Sequence, residues 1–383
     1  MFIQERKKSI EEGQIDWATA EAMALGSLAF DGFNARLVGE DSERGTFSQR
    51  HLVFHDQVTG EKCMPIRDSQ YMQDNLDGRI QVFNTNLCEL GTMAYEYGYS
   101  LENPKNLCIW EAQFGDFYNP AQLVVDQYLM CSESKWLRQS GMVLLLPHGF
   151  DGTGPEHSTC HIERFLQNVN SSAYDSNGPY DNLTAQNINF QVAQPTMPAN
   201  YFHLLRRQML RDFRKPMVIA APKQGLKHAK AVSDIADFSE GNYFHPVLAN
   251  KFGEGQTRHV IFCSGKVAFD IAAKLEKESI DGSILVVRCE ELAPFPIRII
   301  KALLNQEGVG NDAKFTWMQE EPVNQGAFQF AKLHLDRMLH ERGAPSLGFI
   351  GRRAIHSFAT GANSCHKAEN IKLWKDFDQH VLH

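Results

Sequence analysis

Short apolar runs alternate with amphipathic segments along most of the chain. Nine runs rich in aliphatic and β-branched residues are predicted as strands, and most are followed by a segment with helical spacing: ARLVGED, NLCIWEAQF, GMVLLLPHG, NFQVAQP, PMVIAAPK, RHVIFCSGK, SILVVRCEEL, KFTWMQEEP and SLGFIGRR. Strands of a parallel sheet are buried on both faces, so they appear in a sequence as continuous apolar runs. The alternation therefore predicts doubly wound α/β sheets.

The segment TMPANYFHLLRRQML is a clear helix candidate. Thr196 is expected to be the N-cap, and Pro198 lies in the first turn, where its missing N–H is not needed. Phe202, Leu205 and Met209 recur at intervals of three and four residues, which places them on one face.

The alternation lapses between residues 224 and 257, where polar residues and glycines interrupt it. This range is predicted to link two α/β domains. The expected order is a linker-like segment over 1–14, a first domain over 15–223, the linker over 224–257, and a smaller second domain over 258–383.

Charge and composition narrow the classes of partner. The chain has 38 lysines and arginines against 46 aspartates and glutamates, a net charge of −8, so nucleic acid is not expected as a partner. No uncharged apolar run approaches the roughly 18 to 20 residues of a membrane-spanning helix, and no transmembrane segment is predicted. The eight cysteines form no C-x-x-C pair, which predicts reduced thiols.

Polar loops follow three of the predicted strands, and ligands of open α/β sheets gather at such carboxyl ends. Two of these loops contain GEDSERGTF and QFGDF. The third lies in residues 144–167, LLLPHGFDGTGPEHSTCHIERFLQ, and carries His148 and His157.

Two groups of residues in or near these loops admit a functional and a structural interpretation. His157, Cys160 and His161 could share one face of a helical turn and bind zinc, but the sequence indicates no fourth ligand. Glu320 and Glu321 could form a carboxylate dyad. The favoured interpretation is that they are a solvated strand end.

Glu89 lies at the start of a predicted helix and is flanked by Leu87, Cys88 and Leu90. A carboxylate among apolar neighbours is suited to hold or pass a proton near neutrality. The structural alternative is that its charge stabilises the helix N-terminus. These residues alone leave both interpretations open.

Six motifs in order along nearly the whole chain resemble the 2-oxoglutarate dehydrogenase family, the thiamine-diphosphate-dependent decarboxylating component, with 2-oxoadipate dehydrogenase as a similar enzyme. They are GEDSERGTFSQRH (39–51), WEAQFGDF (110–117), LLPHGFDGTGPEHS (145–158), PANYFHLLRRQ (198–208), FCSGKV (262–267) and QEEPVNQGA (319–327). The resemblance implies a transketolase-like pyrimidine-binding domain followed by a smaller transketolase C-terminal domain.

The same resemblance implies roles for individual residues toward the cofactor. Glu89 would hydrogen-bond the aminopyrimidine ring of thiamine diphosphate. Phe114 and Phe117 would pack around that ring, and Leu87 and Gln113 would complete this part of the site.

On the substrate side, the resemblance implies that His148 and His157 face the 2-oxo acid and act with Glu89 as the catalytic residues. One departure lies beside them. Where the family commonly has S-S-A-R, this chain has Ser158, Thr159, Cys160 and His161.

No Gly-Asp-Gly motif of the kind that holds magnesium in this family occurs in the chain, so no metal site is expected in it. The leading hypothesis is a split enzyme in which a partner polypeptide supplies the diphosphate-binding domain and magnesium, and the two chains share the cofactor. We expect a homodimer or heterotetramer that transfers the acyl group to a lipoyl succinyltransferase. We expect it to act in the tricarboxylic acid cycle of the mitochondrial matrix, or in bacterial cytoplasm. The isolated chain would be inactive. One alternative is a non-catalytic remnant that serves as a structural subunit, and another is a fragment of a longer chain, which would leave the biochemical interpretation unchanged.

Overall fold

The computed structural model describes residues 2–171, 184 and 186–382. Its strands are β1 (Gln14–Ile15), β2 (Asn34–Gly39), β3 (Phe54–His55), β4 (Lys62–Cys63), β5 (Ile80–Asn84), β6 (Asn106–Glu111), β7 (Val143–His148), β8 (Gln191–Ala193), β9 (Met217–Pro222), β10 (Ser233–Asp234), β11 (Val247–Gly253), β12 (Thr257–Cys263), β13 (Ser283–Cys289), β14 (Glu291–Ala293), β15 (Lys314–Pro322) and β16 (Gly348–Arg352).

The α-helices are α1 (Phe2–Glu11), α2 (Trp17–Phe30), α3 (Pro65–Asp68), α4 (Gln70–Asn75), α5 (Glu89–Glu102), α6 (Gln122–Val124), α7 (Ser132–Trp136), α8 (Ile162–Gln167), α9 (Pro198–Leu210), α10 (Val267–Leu275), α11 (Ile297–Gln306), α12 (Phe328–Arg342) and α13 (Asn363–Phe377). None of the described helices has the length and apolar character needed to cross a membrane.

The chain forms two compact units that are interleaved in sequence. The first contains Met1–Pro147 and Pro195–Phe244, and the second contains His148–Gln194 and His245–His383. Both are α/β units with largely parallel sheets, which confirms the predicted fold class.

In the first unit, strands β5, β2, β6, β7 and β9 lie side by side in that order, and the pairs β2–β5, β2–β6 and β6–β7 are parallel. Helix α2 is rich in alanine, the best helix former, and is buried over most of its length. The Asp16 side chain caps its N-terminus by accepting from the Thr19 amide at 2.7 Å. Trp17 of α2 stacks on Tyr201 of α9, with ring centroids 4.2 Å apart.

Helix α9 is the helix predicted from TMPANYFHLLRRQML, and its apolar face is buried as expected. The expected N-cap was wrong: Met197 holds that position, and no side chain caps the helix. Pro198 occupies the first position, where a fixed φ and a missing N–H are both tolerated.

In the second unit, the strand order is β11, β13, β12, β15, β16. Strands β12, β13, β15 and β16 pair in parallel, and β11 joins β13 in antiparallel register from Val247↔Cys289 to Gly253↔Ser283. Strand β11 lies inside the range 224–257 that the sequence pattern assigns to a linker. An edge strand with much of its surface exposed carries little of the apolar signal that marks a buried strand.

Candidate functional site

The first candidate site is a cavity of about 280 Å³ in the first unit, where β5 ends and α5 begins. Glu89 is the first residue of α5 and is partly exposed. The cavity is lined by Glu40, Thr85, Asn86, Leu87, Cys88, Glu89, Thr92, Trp110, Glu111 and Gln113. Three of the residues predicted for the cofactor, Glu89, Leu87 and Gln113, therefore lie together.

Local hydrogen bonds fix the turn that precedes Glu89. The Leu87 amide donates to the Thr85 hydroxyl at 3.2 Å, and the Thr92 hydroxyl donates to the Leu87 carbonyl at 3.1 Å. A Cβ at Gly91 would lie 3.0 Å from the Leu87 side chain, so glycine leaves room for that side chain. The carboxylate of Glu89 is also placed at a helix N-terminus, where a negative charge is favourable.

The predicted aromatic pair lies where a 3₁₀ helix, Gly115–Ala121, follows β6: Phe114 directly precedes it and Phe117 lies within it. The rings of Phe114 and Phe117 meet edge to face with centroids 5.5 Å apart, and Phe47 packs against Phe114 at 5.7 Å. Both Phe114 and Phe117 are half-buried. Phe114 directly follows the cavity residue Gln113, so the aromatic pair continues the chain segment that lines the cavity.

A buried ionic network lies behind the cavity wall. Arg50 Nη1 and Nη2 each donate to the Glu111 carboxylate at 2.6 Å, and Arg50 also binds Glu21. The Tyr201 hydroxyl donates to Glu21 at 2.7 Å, and Arg50 Nη1 donates to the Ser42 carbonyl. Although burial opposes it, the two carboxylates raise the pKa of Arg50 well above its ordinary value.

Gly39 at the end of β2 allows this network to form. A Cβ there would lie 2.4 Å from the Glu111 carbonyl oxygen and 2.6 Å from the Ser42 hydroxyl. Only glycine permits the ends of β2 and β6 to approach so closely. The motif that begins at Gly39 therefore contributes Glu40 to the cavity lining, and its Arg50 holds the lining residue Glu111.

The second candidate site lies in the second unit, where β7 ends at His148. His148 is buried, its Nδ1 accepts from the Cys160 amide at 3.1 Å, and its Nε2 lies 2.8 Å from Glu321 Oε1. Since Nδ1 accepts, the ring proton is on Nε2 and is donated to Glu321. Burial raises the pKa of the Cys160 thiol. Both ring nitrogens of His148 thus have protein partners.

Glu321 belongs to a turn at the end of β15 that Gln319 holds together. The Gln319 amide donates to the carbonyl oxygens of Pro322 at 3.1 Å and Gln325 at 2.7 Å, and its Oε1 accepts from the Trp317 indole and the Phe328 amide. The expectation that Glu320 and Glu321 form a solvated strand end was wrong, because both side chains are mostly buried and each has a basic partner.

The partner of Glu320 is Lys266. The Lys266 ammonium lies 3.1 Å from Glu320, 2.7 Å from Asp270 and 3.9 Å from Asp151. Burial alone would raise the pKa of Glu320, but Lys266 holds it below its usual value. A single cation with three carboxylates around it is a structural ion cluster that fixes the start of α10 against the end of β15.

The structure places the other two histidines of the 148–161 loop, His157 and His161, in different environments. His157 is exposed on a short 3₁₀ turn, with Glu156 3.9 Å from its Nδ1. His161 is fully buried, with Glu163 3.6 Å away and the ring of Phe358 packed edge to face at 4.3 Å. Within the described residues, no three His, Cys, Asp or Glu side chains are arranged to hold a metal ion.

Sequence reasoning missed the pairing of Arg50 with Glu111 and of His148 with Glu321. Each pair joins residues that are far apart in the chain, and periodicity carries no information on such contacts. A usable signal was nevertheless present: all four residues lie within, or directly beside, the quoted motifs, and a charged residue inside an apolar strand such as CIWEA needs a partner.

Comparison with known proteins identifies the family to which the chain belongs. Residues 13–228 match the family model of the transketolase pyrimidine-binding domain, and residues 232–377 match that of the 2-oxoglutarate dehydrogenase C-terminal domain. The chain belongs to the transketolase pyrimidine-binding-domain family, here joined to the C-terminal domain of 2-oxoglutarate dehydrogenases. The resemblance drawn from the six motifs is confirmed.

Curated relatives cover nearly all of this chain. It is 43% identical over 378 residues to a probable 2-oxoadipate dehydrogenase complex component E1 homolog of Dictyostelium discoideum. This alignment covers 98% of this chain and 41% of the relative. It is 44% identical over 394 residues to the 2-oxoglutarate dehydrogenase E1 component of Brucella ovis. This alignment covers 98% of this chain and 36% of the relative. The chain thus spans about two fifths of the length of these relatives.

Proposed function

We propose that this chain supplies the pyrimidine-binding part of a thiamine-diphosphate-dependent 2-oxo acid dehydrogenase that acts on 2-oxoglutarate. The observation that carries the proposal is the cavity at the start of α5, which combines the Glu89 carboxylate with Leu87 and Gln113. Its contents suit an aminopyrimidine ring: a carboxylate for the ring nitrogens, an apolar side chain for one ring face, and an amide for a further polar contact.

The residues of the cavity fit one end of the cofactor. Its volume of about 280 Å³ suits a single heterocycle, and the neighbouring rings of Phe114 and Phe117 offer aromatic faces and edges. When bound, thiamine diphosphate supplies the electron sink that makes decarboxylation of a 2-oxo acid possible. Glu89 would orient the ring and hold a proton, while Arg50 keeps the Glu111 wall in place.

The diphosphate end of the cofactor and its magnesium ion need a second protein segment. We propose that a partner polypeptide carries it and that the two chains share the cofactor, as a homodimer or a heterotetramer. The acyl group would pass to the lipoyl group of a succinyltransferase. This activity belongs to the tricarboxylic acid cycle of the mitochondrial matrix or of bacterial cytoplasm, and the isolated chain would be inactive.

The choice of 2-oxoglutarate over 2-oxoadipate is part of the proposal. The two acids differ by one methylene, which a binding pocket discriminates by only about 1–3 kcal/mol. Relatives named for each of the two substrates are almost equally similar to this chain. Parallel assays with both acids decide the point, and a higher kcat/KM for 2-oxoadipate would reverse the assignment.

The residue-level test is Glu89→Gln in the complex purified with its partners. Release of labelled CO₂ from 2-oxoglutarate should fall by at least about 10²-fold, because a proton-holding group is lost at unchanged size. Glu102→Gln, at the other end of α5 and exposed, is the matched control and should retain turnover. Undiminished turnover of Glu89→Gln would refute the proposed role of this cavity.

The partner is tested separately by gentle purification of the chain from its native source, followed by mass spectrometry. A co-purifying polypeptide with a Gly-Asp-Gly diphosphate-binding domain, together with a lipoyl succinyltransferase, is expected. Stable residence in an unrelated assembly without such a partner would instead favour a non-catalytic structural subunit.

A further inference from the structure

We propose that Glu321 is the positioning residue for His148: its carboxylate holds the imidazole in one orientation and keeps the ring proton on Nε2. The effect on catalysis rests on the function proposed above. The effect on the state of the imidazole does not, since it concerns only contacts within the second unit.

The hydrogen bonds of His148 allow one neutral tautomer. The Cys160 amide can only donate, so Nδ1 must present a lone pair to it at 3.1 Å. The proton is therefore on Nε2, and Glu321 Oε1 accepts it at 2.8 Å. Rotating the ring by half a turn would exchange nitrogens for carbons and lose both bonds, so the two contacts together set orientation and tautomer.

Glu321 can act in this way because its own position is fixed. The turn that carries it is held by the side-chain amide of Gln319, which is almost completely buried. Gly326 lies on the other side of the carboxylate, at φ +68°, and a Cβ there would be 2.9 Å from Glu321 Cδ. Glu163 accepts from the Gly326 amide at 2.9 Å and keeps that segment close.

The backbone alone would not fix the imidazole. The Cys160 amide contacts one nitrogen, and without a second contact the ring could turn about χ2 or exchange the proton between its nitrogens. Glu321 supplies the second contact, since its Oε1 accepts the ring proton at 2.8 Å. Since both side chains are buried, water does not compete readily for either partner.

The neighbouring residue Glu320 provides a matched control. It lies on the same strand and is also mostly buried, but its carboxylate pairs with Lys266 rather than with His148. Glu320→Gln therefore removes a similar charge at nearly the same place without removing the contact to the imidazole. Thermal unfolding of each variant shows whether it is folded before its ring is examined.

The direct test is long-range ¹H–¹⁵N NMR of this chain labelled at its 15 histidines, with the His148 signals assigned by their loss in His148→Gln. The wild-type protein and Glu320→Gln should show the Nε2–H tautomer at His148. Glu321→Ala should show a mixture of the two neutral tautomers, and Glu321→Gln, which keeps an oxygen acceptor, should restore the Nε2–H form. An unchanged His148 signal in folded Glu321→Ala would overturn the proposal.

The effect on catalysis is measured in the complex with its natural partners. Glu321→Ala should lower kcat about 10²-fold with KM changed by less than about twofold, since the substrate still binds but the imidazole is no longer held in one orientation. Glu321→Gln should recover part of the loss. A shifted tautomer with unchanged kcat would overturn the catalytic part. If the wild-type complex decarboxylates no 2-oxo acid, the proposed function fails, and the NMR result still decides the positioning of His148.

Discussion

Arg50 donates two hydrogen bonds to Glu111, each of 2.6 Å, and both side chains are buried in the first unit. Replacing Arg50 by Met keeps much of the volume but leaves Glu111 and Glu21 without their shared cation. Removing one member of a buried ion pair costs about 3–5 kcal/mol, and here two carboxylates lose their partner. We expect the free energy of unfolding to fall by about that amount, measured by urea titration of the tryptophan fluorescence, to which Trp17, stacked on Tyr201 in the same unit, contributes.

The surface pair Arg44–Asp41 is the control for this change. It lies in the same motif, and the Arg44 side chain is about half exposed. Arg44→Met should cost less than about 1 kcal/mol, since exposed ion pairs contribute little. Equal losses for the two variants would show that the network behind the cavity has no special role in stability.

Gly326→Ala tests the space around Glu321. At φ +68° alanine is strained by about 1 kcal/mol, and its Cβ would also lie 2.9 Å from Gln319 Nε2 and from Glu321 Cδ. We expect a loss of about 3 kcal/mol in the free energy of unfolding, since overpacking adds to the strain. Gly308→Ala is the control, because Gly308 has a similar φ of +62° but no atom within 4 Å of an added Cβ, so this variant shows the cost of the backbone strain alone. A loss at Gly326 no greater than that at Gly308 would argue against tight packing around Glu321.

His259 gives the second unit a pH dependence of known sign. Burial lowers the pKa of His259 from 6.5 to about 4. Between these two pH values the imidazole is neutral in the folded protein but protonated in the unfolded chain. The unfolded state binds more protons between these values, and stability therefore falls as the pH drops from about 6.5 to 4. The His259 contribution over this range is about 3 kcal/mol, at 1.36 kcal/mol for each pH unit. Unfolding titrations of wild type and His259→Asn at several pH values should show that much difference in acid sensitivity.

Thr316→Val separates titration from hydrogen bonding at the same position. The Thr316 hydroxyl lies 2.8 Å from His259 Nε2, and both residues are buried. This variant should be less stable by about 1–2 kcal/mol at all these pH values, yet it should keep the acid sensitivity because His259 remains buried. Loss of the acid sensitivity in Thr316→Val would contradict the assignment to burial.

Lys266→Met should destabilise the protein in a pH-dependent way. Burial raises the pKa of Glu320, and Lys266 is the strongest of the groups that lower it, so without the ammonium group the pKa would rise. The folded state would then bind more protons than the unfolded state, so the variant loses stability as the pH rises. Its deficit relative to wild type should grow from near zero at pH 4 to about 3 kcal/mol at pH 7.

Lys372→Met controls for loss of a lysine in the same unit. Lys372 pairs with Asp376 one turn along α13, and its side chain is nearly half exposed. Its deficit should stay below about 1 kcal/mol over the same pH range. A flat deficit for Lys266→Met would instead indicate that its carboxylate neighbours are neutralised by other groups.

The central strands could be predicted because their sequence signal is local. Runs such as VLLLPH and MVIAAP are buried on both faces, so no partner needs to be known to identify them. Strand β11 could not be identified in this way, since it is an edge strand with exposed side chains and owes its conformation to pairing with β13. The assignment of His148–Gln194 to the second unit depends on tertiary contacts that no local pattern records.

The candidate site shows a similar division. The residues Leu87, Glu89 and Gln113 could be named from the family resemblance, and the fold brings them to one cavity. The role of Glu321 could not be inferred, because its partner lies 173 residues away and the two adjacent glutamates are equivalent in sequence. Only the direction of each side chain at the end of β15 separates the ligand of Lys266 from the ligand of His148.

The interleaving of the two units has a consequence for synthesis on the ribosome. The first unit needs Pro195–Phe244 before it is complete, and His148–Gln194 emerges well before the rest of the unit with which it packs. Domains usually fold one after the other as they leave the ribosome. Here the nascent chain must carry an unsatisfied apolar segment, with Phe165, Leu166 and Phe190 exposed, until most of the second unit has been made. During that interval we expect chaperones to bind the exposed apolar segment.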